Sequence, residues 1–91
     1  VSAAFGAASE VAEGKTVFAQ CQVCHSAVTP DKKVGPSLKG LFHRAKLVNG
    51  KPVTDKAVRS VIDAGGNGMP AYEKILSDKQ KDQVIAYLKT L

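Results

Sequence analysis

The sequence predicts an all-α domain, three main helices with short helical turns and loops between them. Three observations predict it. Apolar residues recur at helical spacing in three separate segments, start and stop signals bracket the later ones, and the stretch between the first and second segments is full of turn residues. At 91 residues the chain makes one domain with a modest core. That domain is placed at residues 9–91, and residues 1–8, small and apolar apart from Phe5, are read as a flexible N-terminal segment.

The first helix is expected from about Ser9 to Gln20, with Val11, Gly14, Phe18 and Cys21 on one face. A glycine inside a helix costs about 1 kcal/mol relative to alanine, so Gly14 predicts the close approach of another helix. Residues 26–53 are expected to be mostly irregular, with turns at Thr29-Pro30-Asp31, Gly35-Pro36 and Asn49-Gly50. The last of these, between Leu47-Val48 and Pro52-Val53, resembles a small hairpin. The second helix runs from about Asp55 to Ala64, with Val58, Val61 and Ile62 on one side, Thr54 as its N-cap and Gly65 as its stop. The third begins at Ser77. Gln80 lies three residues on, a capping-box pattern, and the apolar face is Val84, Ile85, Leu88 and Leu91.

The chemistry is concentrated in Cys21-Gln22-Val23-Cys24-His25, the C-x-x-C-H attachment signature of a c-type haem. Two thiols three apart on a helical turn share a face, so both reach one edge of a macrocycle and can add across its two vinyl groups. The following residue, His25, then offers an imidazole nitrogen to iron. Three other readings of the cysteines fit the chain less well. A thioredoxin-type dithiol wants a βαβ pattern, and none surrounds the motif. Tetrahedral zinc needs two more ligands, and with two cysteines in the whole chain only His43 is left as a nitrogen donor. A disulfide between cysteines three apart closes a small strained loop that stabilises little. Met69 is the only methionine and lies in Gly65-Gly66-Asn67-Gly68-Met69-Pro70, a glycine-rich loop closed by proline and able to aim one side chain. A thioether is a soft ligand that favours ferrous iron, so Met69 is expected as the second axial ligand rather than as a core filler.

With these pieces in order, the chain resembles a class I cytochrome c of the small bacterial monohaem kind, from about Val11 to Leu91. Gly14-Lys15-Thr16-Val17-Phe18 resembles the family's N-terminal helix. Gly35-Pro36-Ser37-Leu38-Lys39-Gly40-Leu41-Phe42-His43-Arg44 resembles its G-P-x-L-x-G-L-x-x-R stretch, Met69-Pro70 its distal loop and Ala86-Tyr87-Leu88 its C-terminal helix. The resemblance implies the class I cytochrome c fold around one covalent haem c with its iron, and it puts the C-terminal helix, near Tyr87, against Gly14. It implies that the Pro36 carbonyl accepts a hydrogen bond from the proximal imidazole, which would fix the His25 tautomer, and that Leu38 and Leu41 pack on the haem. Arg44 is either an ordinary surface charge or, as the resemblance implies, a propionate partner. Asn67 is either a turn residue or a donor to the Met69 sulfur or a propionate. His43 follows Leu41-Phe42 with no loop to carry it across the haem, so a surface role is expected over ligation. The tryptophan and the long central insert of the family's longer mitochondrial type are missing here.

Aromatic residues are only 5% of the chain, which suits a core whose large flat body is a macrocycle. No segment approaches the ~18 consecutive apolar residues of a membrane span. The formal net charge is +5. The scattered lysines read either as a solvated surface or as a basic ring that steers acidic redox proteins, Lys15, Lys32, Lys33, Lys39 and Lys74 lying nearest the haem residues in sequence. No basic run with interleaved aromatics suggests nucleic acid. The expected function is non-enzymatic electron transfer between redox proteins by a monomer, matured outside the cytoplasm, periplasmic or otherwise exported, with its signal peptide removed. Two alternatives stand beside it. One is a haem domain of a larger oxidoreductase, an oxidase subunit or quinoprotein dehydrogenase; the other is a haem enzyme or gas sensor in which Met69 leaves the iron.

Overall fold

The computed structural model describes the backbone of residues 2–91 and the side chains of residues 9–91. Its elements in chain order are α1 (Ser2–Phe18), a 3₁₀ turn (Leu41–His43), α2 (Asp55–Ala64) and α3 (Asp78–Leu88). Among the described residues there is no strand, only isolated bridges pairing Lys46 with Pro52 and Gly66 with Met69. The all-α expectation therefore holds.

The limits of α1 differ from the sequence reading at both ends. The helix starts at Ser2 rather than Ser9, since the alanine-rich backbone of residues 2–8 continues it. The side chains of the segment 1–8, expected to be flexible, lie outside the described residues. At the other end α1 stops at Phe18 and not at Gln20. The Phe18 carbonyl accepts from Cys21 N–H at 2.7 Å and from Gln22 N–H at 3.2 Å, and the chain goes on in separate single turns.

The two later helices follow their caps. Thr54 Oγ1 accepts from Ala57 N–H at 3.0 Å, and α2 ends where Gly65, at φ 65°, leaves helical space. Ser77 and Gln80 close the reciprocal capping box of α3: Gln80 N–H donates to Ser77 Oγ at 3.1 Å and Ser77 N–H to Gln80 Oε1 at 2.9 Å. The Asn49-Gly50 hairpin forms with its own geometry. Gly50 N–H reaches Leu47 O at 2.9 Å and Leu47 N–H reaches Lys51 O at 2.8 Å, while Gly50 alone of the pair takes positive φ (83°). That is a turn followed by a glycine bulge rather than a two-residue primed turn.

The core is built on the packing of α1 against α3, with α2 leaning on α3. Val17, Phe18, Val84, Ile85, Tyr87 and Leu88 are buried together with Val58, Ile62, Leu41 and Leu76. Phe18 is fully buried, and its ring meets that of Tyr87 with centroids 5.4 Å apart at 54°, a tilted pair. Gly14 is the point of closest approach. A Cβ there would stand 1.9 Å from Gln83 O and 2.9 Å from Tyr87 Cβ, so the missing side chain lets the α3 backbone in. Lys81 departs from the solvated-lysine reading: it is buried, 4% exposed, because Asp63 and a backbone carbonyl receive its ammonium.

Candidate haem-binding site

The end of α1 positions the first three candidate residues. After Phe18, Cys24 N–H bonds Cys21 O at 3.1 Å and His25 N–H bonds the same carbonyl at 2.9 Å. Cys21, Cys24 and His25 are thus gathered on one turn, all half-buried. Cys21 and Cys24 form no disulfide with each other. Burial pushes the Cys21 thiol up, with the neighbouring Cys24 adding to the effect.

The loop that follows is tied back onto this turn. Gly35 N–H donates to Cys24 O at 2.7 Å, Leu38 N–H to Ser26 O at 2.8 Å, and Lys33 Nζ to Gln22 O at 2.9 Å. The result brings Pro36 O within 2.7 Å of His25 Nδ1. With the carbonyl accepting, Nδ1 carries the proton and Nε2 keeps its lone pair. Gly35, quoted in the sequence only as part of a turn, has a second role. A Cβ at that position would lie 2.5 Å from His25 Cε1 and 2.9 Å from Nδ1. The bare backbone forms one wall against the imidazole; the signal was the Gly-Pro pair, whose glycine permits the approach and whose proline carries the acceptor.

Farther along, Leu41 is buried in the core and Leu38 packs against it. Arg44 is exposed and its guanidinium bonds backbone, Nη2 reaching Ser37 O at 2.8 Å and Lys39 O at 2.9 Å. It fastens the loop from Ser37 to its own 3₁₀ turn. His43 is exposed on that turn.

The Met69 loop is a tight reversal. Gly66 and Met69 exchange both backbone bonds, at 2.9 and 3.0 Å, and the residues between them, Asn67 (φ 52°) and Gly68 (φ 89°), both take positive φ. That is the signature of a type I′ turn, and it explains an Asn-Gly pair. Asn67 is thus a turn residue in backbone terms, and its side chain is exposed. Gly65 lets the turn fold onto α2, since a Cβ there would lie 2.4 Å from Met69 O. Met69 itself is half-buried. Three residues on, the half-buried Tyr72 phenol is pushed up by burial, with Cys21 and Cys24 adding to the effect. The sequence reading had not singled it out; the aromatic shortly after Met69-Pro70 was the available signal.

The donor set suits a covalent haem. Two thiols share a turn, an imidazole is oriented by a carbonyl and walled by a glycine, and a single thioether is carried on a separate loop. Comparison with known proteins agrees. A family model described as "Cytochrome C oxidase, cbb3-type, subunit III" matches residues 9–88. The chain belongs to that family, within the class I cytochromes c. It is similar to cytochrome c2 of Blastochloris viridis, 36% identical over 105 residues, covering 97% of this chain and 83% of that protein. Cytochrome c2 of Afifella marina is 33% identical over 100 residues, covering 88% and 81%. Among solved structures, cytochrome c6 from the diatom Phaeodactylum tricornutum matches with a TM-score of 0.69 at 29% identity, covering 88% of this chain and 91% of that one. The fold is that of a class I cytochrome c, and the cofactor of the family is covalently bound haem c with its iron. This cytochrome is an electron-transfer protein in its family assignment. No helix among the described residues is long and apolar enough to cross a membrane.

Proposed function

We propose that this cytochrome carries single electrons between redox proteins, on a haem attached through Cys21 and Cys24 and ligated by His25 and Met69. The observation that carries the reading is the 2.7 Å contact of His25 Nδ1 with Pro36 O, which leaves Nε2 as the free donor beside the cysteine pair. When bound, the haem supplies a one-electron couple at iron. The chain's own residues do the rest. Pro36 O holds the tautomer of His25, the Gly35 backbone walls the ring, and Leu38 and Leu41 supply apolar packing. A thioether in the sixth position favours the reduced state and closes the iron to substrates, which argues for a carrier over an enzyme or gas sensor. For Arg44 the backbone bonds support a loop clamp, and a propionate role would fall to its remaining donors.

Docking is proposed at the face around the cysteine turn. Val23, Val28 and Val34 are 73–77% exposed there, and Lys32 and Lys33 stand among them. Exposed apolar residues with two lysines beside them in sequence suit a transient encounter with an acidic partner. Export, by analogy with c-type maturation, and a monomeric carrier complete the reading. A second reading, a haem domain within a larger oxidoreductase, is favoured by the oxidase-subunit description of the matching family.

Intact mass under denaturing conditions, with optical spectra of both oxidation states, tests the core proposal. The expected result is the polypeptide plus one haem and a long-wavelength band of iron–sulfur ligation, with no carbon monoxide binding to the ferrous form. Met69→Ala should abolish that band, open the iron and lower the potential. A variant with unchanged spectrum and potential would remove Met69 and bring His43 or a lysine forward.

A further inference from the structure

Lys81 is a lysine in an unusual place. Its side chain is 5% exposed, and its Nζ lies 2.7 Å from Asp63 Oδ1 and donates to Glu73 O at 3.1 Å; Asp78 is farther, at 3.9 Å. Burying an ammonium is costly unless it is paired and hydrogen-bonded, and even a paired ion is often no better for stability than an apolar residue of its size. Asp63 depends on it in turn. Its buried Oδ1 has no partner of hydrogen-bond geometry and relies on the ionic contact with Lys81.

The two partners of Lys81 are the two sides of one neck. Asp63 precedes the Met69 loop and Glu73 follows it. The same neck is closed by backbone bonds, Tyr72 N–H to Ile62 O at 2.9 Å and Glu73 N–H to Asp63 O at 3.2 Å. What lies between needs holding. Gly65, Gly66, Asn67 and Gly68 all have positive φ, and residues 66–68 are exposed, so the loop has little burial of its own to set its shape. Ile62 and Tyr72 of the neck pack on the core, and Lys81 adds, among the described residues, a polar side-chain link to both sides of the neck from α3. That helix is locked to α1 at Gly14, and α1 leads directly into Cys21–His25.

We propose that Lys81 is a positioning residue: its buried ammonium latches the neck of the Met69 loop to the α1–α3 frame that carries His25, and so keeps Met69 at the iron. The proposal rests on Met69 as the axial ligand. Lys81 touches neither haem nor Met69 in this account; it sets how often the loop swings away. A link to the helix frame separates loop opening from global unfolding, and this separation is what an experiment can read.

The test uses the haem-loaded protein and imidazole, which binds ferric iron only when Met69 has left. The binding rate and the thermal midpoint of the helices, by far-ultraviolet circular dichroism, are measured for wild type, Lys81→Met, the double variant Lys81→Met with Asp63→Leu, and Arg59→Met. Arg59 serves as the control. It joins α2 to α3, as the Lys81–Asp63 contact does, through pairs with Asp78 (2.6 Å) and Asp82 (2.9 Å), but does not reach the neck. Loss of a charged hydrogen bond at the neck should speed imidazole binding about tenfold or more in Lys81→Met. The double variant removes the stranded carboxylate, so its midpoint should recover while its binding rate stays raised. Arg59→Met should lower the midpoint with the rate unmoved. If Lys81→Met does not fold, the double variant decides. Binding rates that stay at the wild-type value, or that follow the midpoint in all variants including Arg59→Met, overturn the latch. A wild-type protein without the iron–sulfur band overturns Met69 ligation and the latch together, whereas a normal band with unmoved rates overturns the latch alone.

Discussion

Gly14→Ala adds one methyl group at the α1–α3 contact, and the structure lets its cost be worked out. In an open helix the change would help by about 1 kcal/mol, because alanine is the better helix former. Here the new Cβ would sit 1.9 Å from Gln83 O and 2.6 Å from Gln83 C. Both are backbone atoms of α3, so no rotamer change relieves the clash and the helices must move apart. Overpacking of this kind costs typically about 1–3 kcal/mol and sometimes more. Separation also loosens the Phe18–Tyr87 pair, whose geometry is worth about 0.5–1.5 kcal/mol beyond burial. With the helix gain subtracted, the expected loss is about 2 kcal/mol, and Gly14→Val should lose more. In a domain of this size that lowers the melting temperature by roughly 8–16 °C. The assay is a thermal melt of the haem-loaded protein followed by far-ultraviolet circular dichroism. Glu13→Ala, on the exposed side of the same turn, is the comparison and should stay within about 0.5 kcal/mol of wild type. A Gly14→Ala melt equal to or above that of the wild type would refute the reasoning, since it would mean the helices are free to part and the glycine is incidental.

Other expectations follow from single contacts. Gly35→Ala places a Cβ 2.5 Å from the His25 ring and should displace the imidazole, read as a shifted reduction potential and a destabilisation of about 1–3 kcal/mol. Gly65→Ala combines positive φ with a 2.4 Å approach to Met69 O, and a weakened iron–sulfur band at unchanged helix content is the expected spectrum. Ser77→Ala removes one half of the α3 capping box and should cost about 1 kcal/mol in denaturant unfolding with an unchanged slope. Electron-transfer rates with an acidic partner should fall across a salt series as the Debye length shortens to about 8 Å at physiological salt, and a flat series would show that the basic face does not recruit it. A haem domain tethered to its own donor should be less salt-sensitive than a free carrier.

What the chain revealed before its structure was known depended on how local each determinant is. Thr54, Ser77 and Gln80 act within three residues, so the starts of α2 and α3 were legible to the residue. The end of α1 was not, because Phe18 O is shared between Cys21 and Gln22 and the chain tightens into single turns that carry the same apolar spacing as a helix. The two Asn-Gly pairs show the same limit from another side. Asn67-Gly68 adopts positive φ at both residues, whereas Asn49 does not and Gly50 alone forms a bulge. The dipeptide signals a reversal, but the surroundings choose which one.

The candidate site was legible where chemistry demands a residue type and hidden where it demands only a place. Cys21, Cys24, His25 and Met69 stood out because thiol, imidazole and thioether are scarce in this chain. Gly35 as a wall for the imidazole emerged only from the way distant segments meet. Lys81 is the sharpest case. Eleven lysines are indistinguishable by composition, and although helix spacing sets this one in register with Val84, Ile85 and Leu88, nothing near it in sequence names the partners an ammonium needs in order to be buried there. Its burial is decided by Asp63 and by the Glu73 carbonyl, which arrive from α2 and from the far side of the Met69 loop. A charge that leaves water must find both partners already in position, so the pair can form only when the loop has closed correctly. The partners of Lys81, one from each side of the Met69 loop, are what the local sequence leaves unnamed.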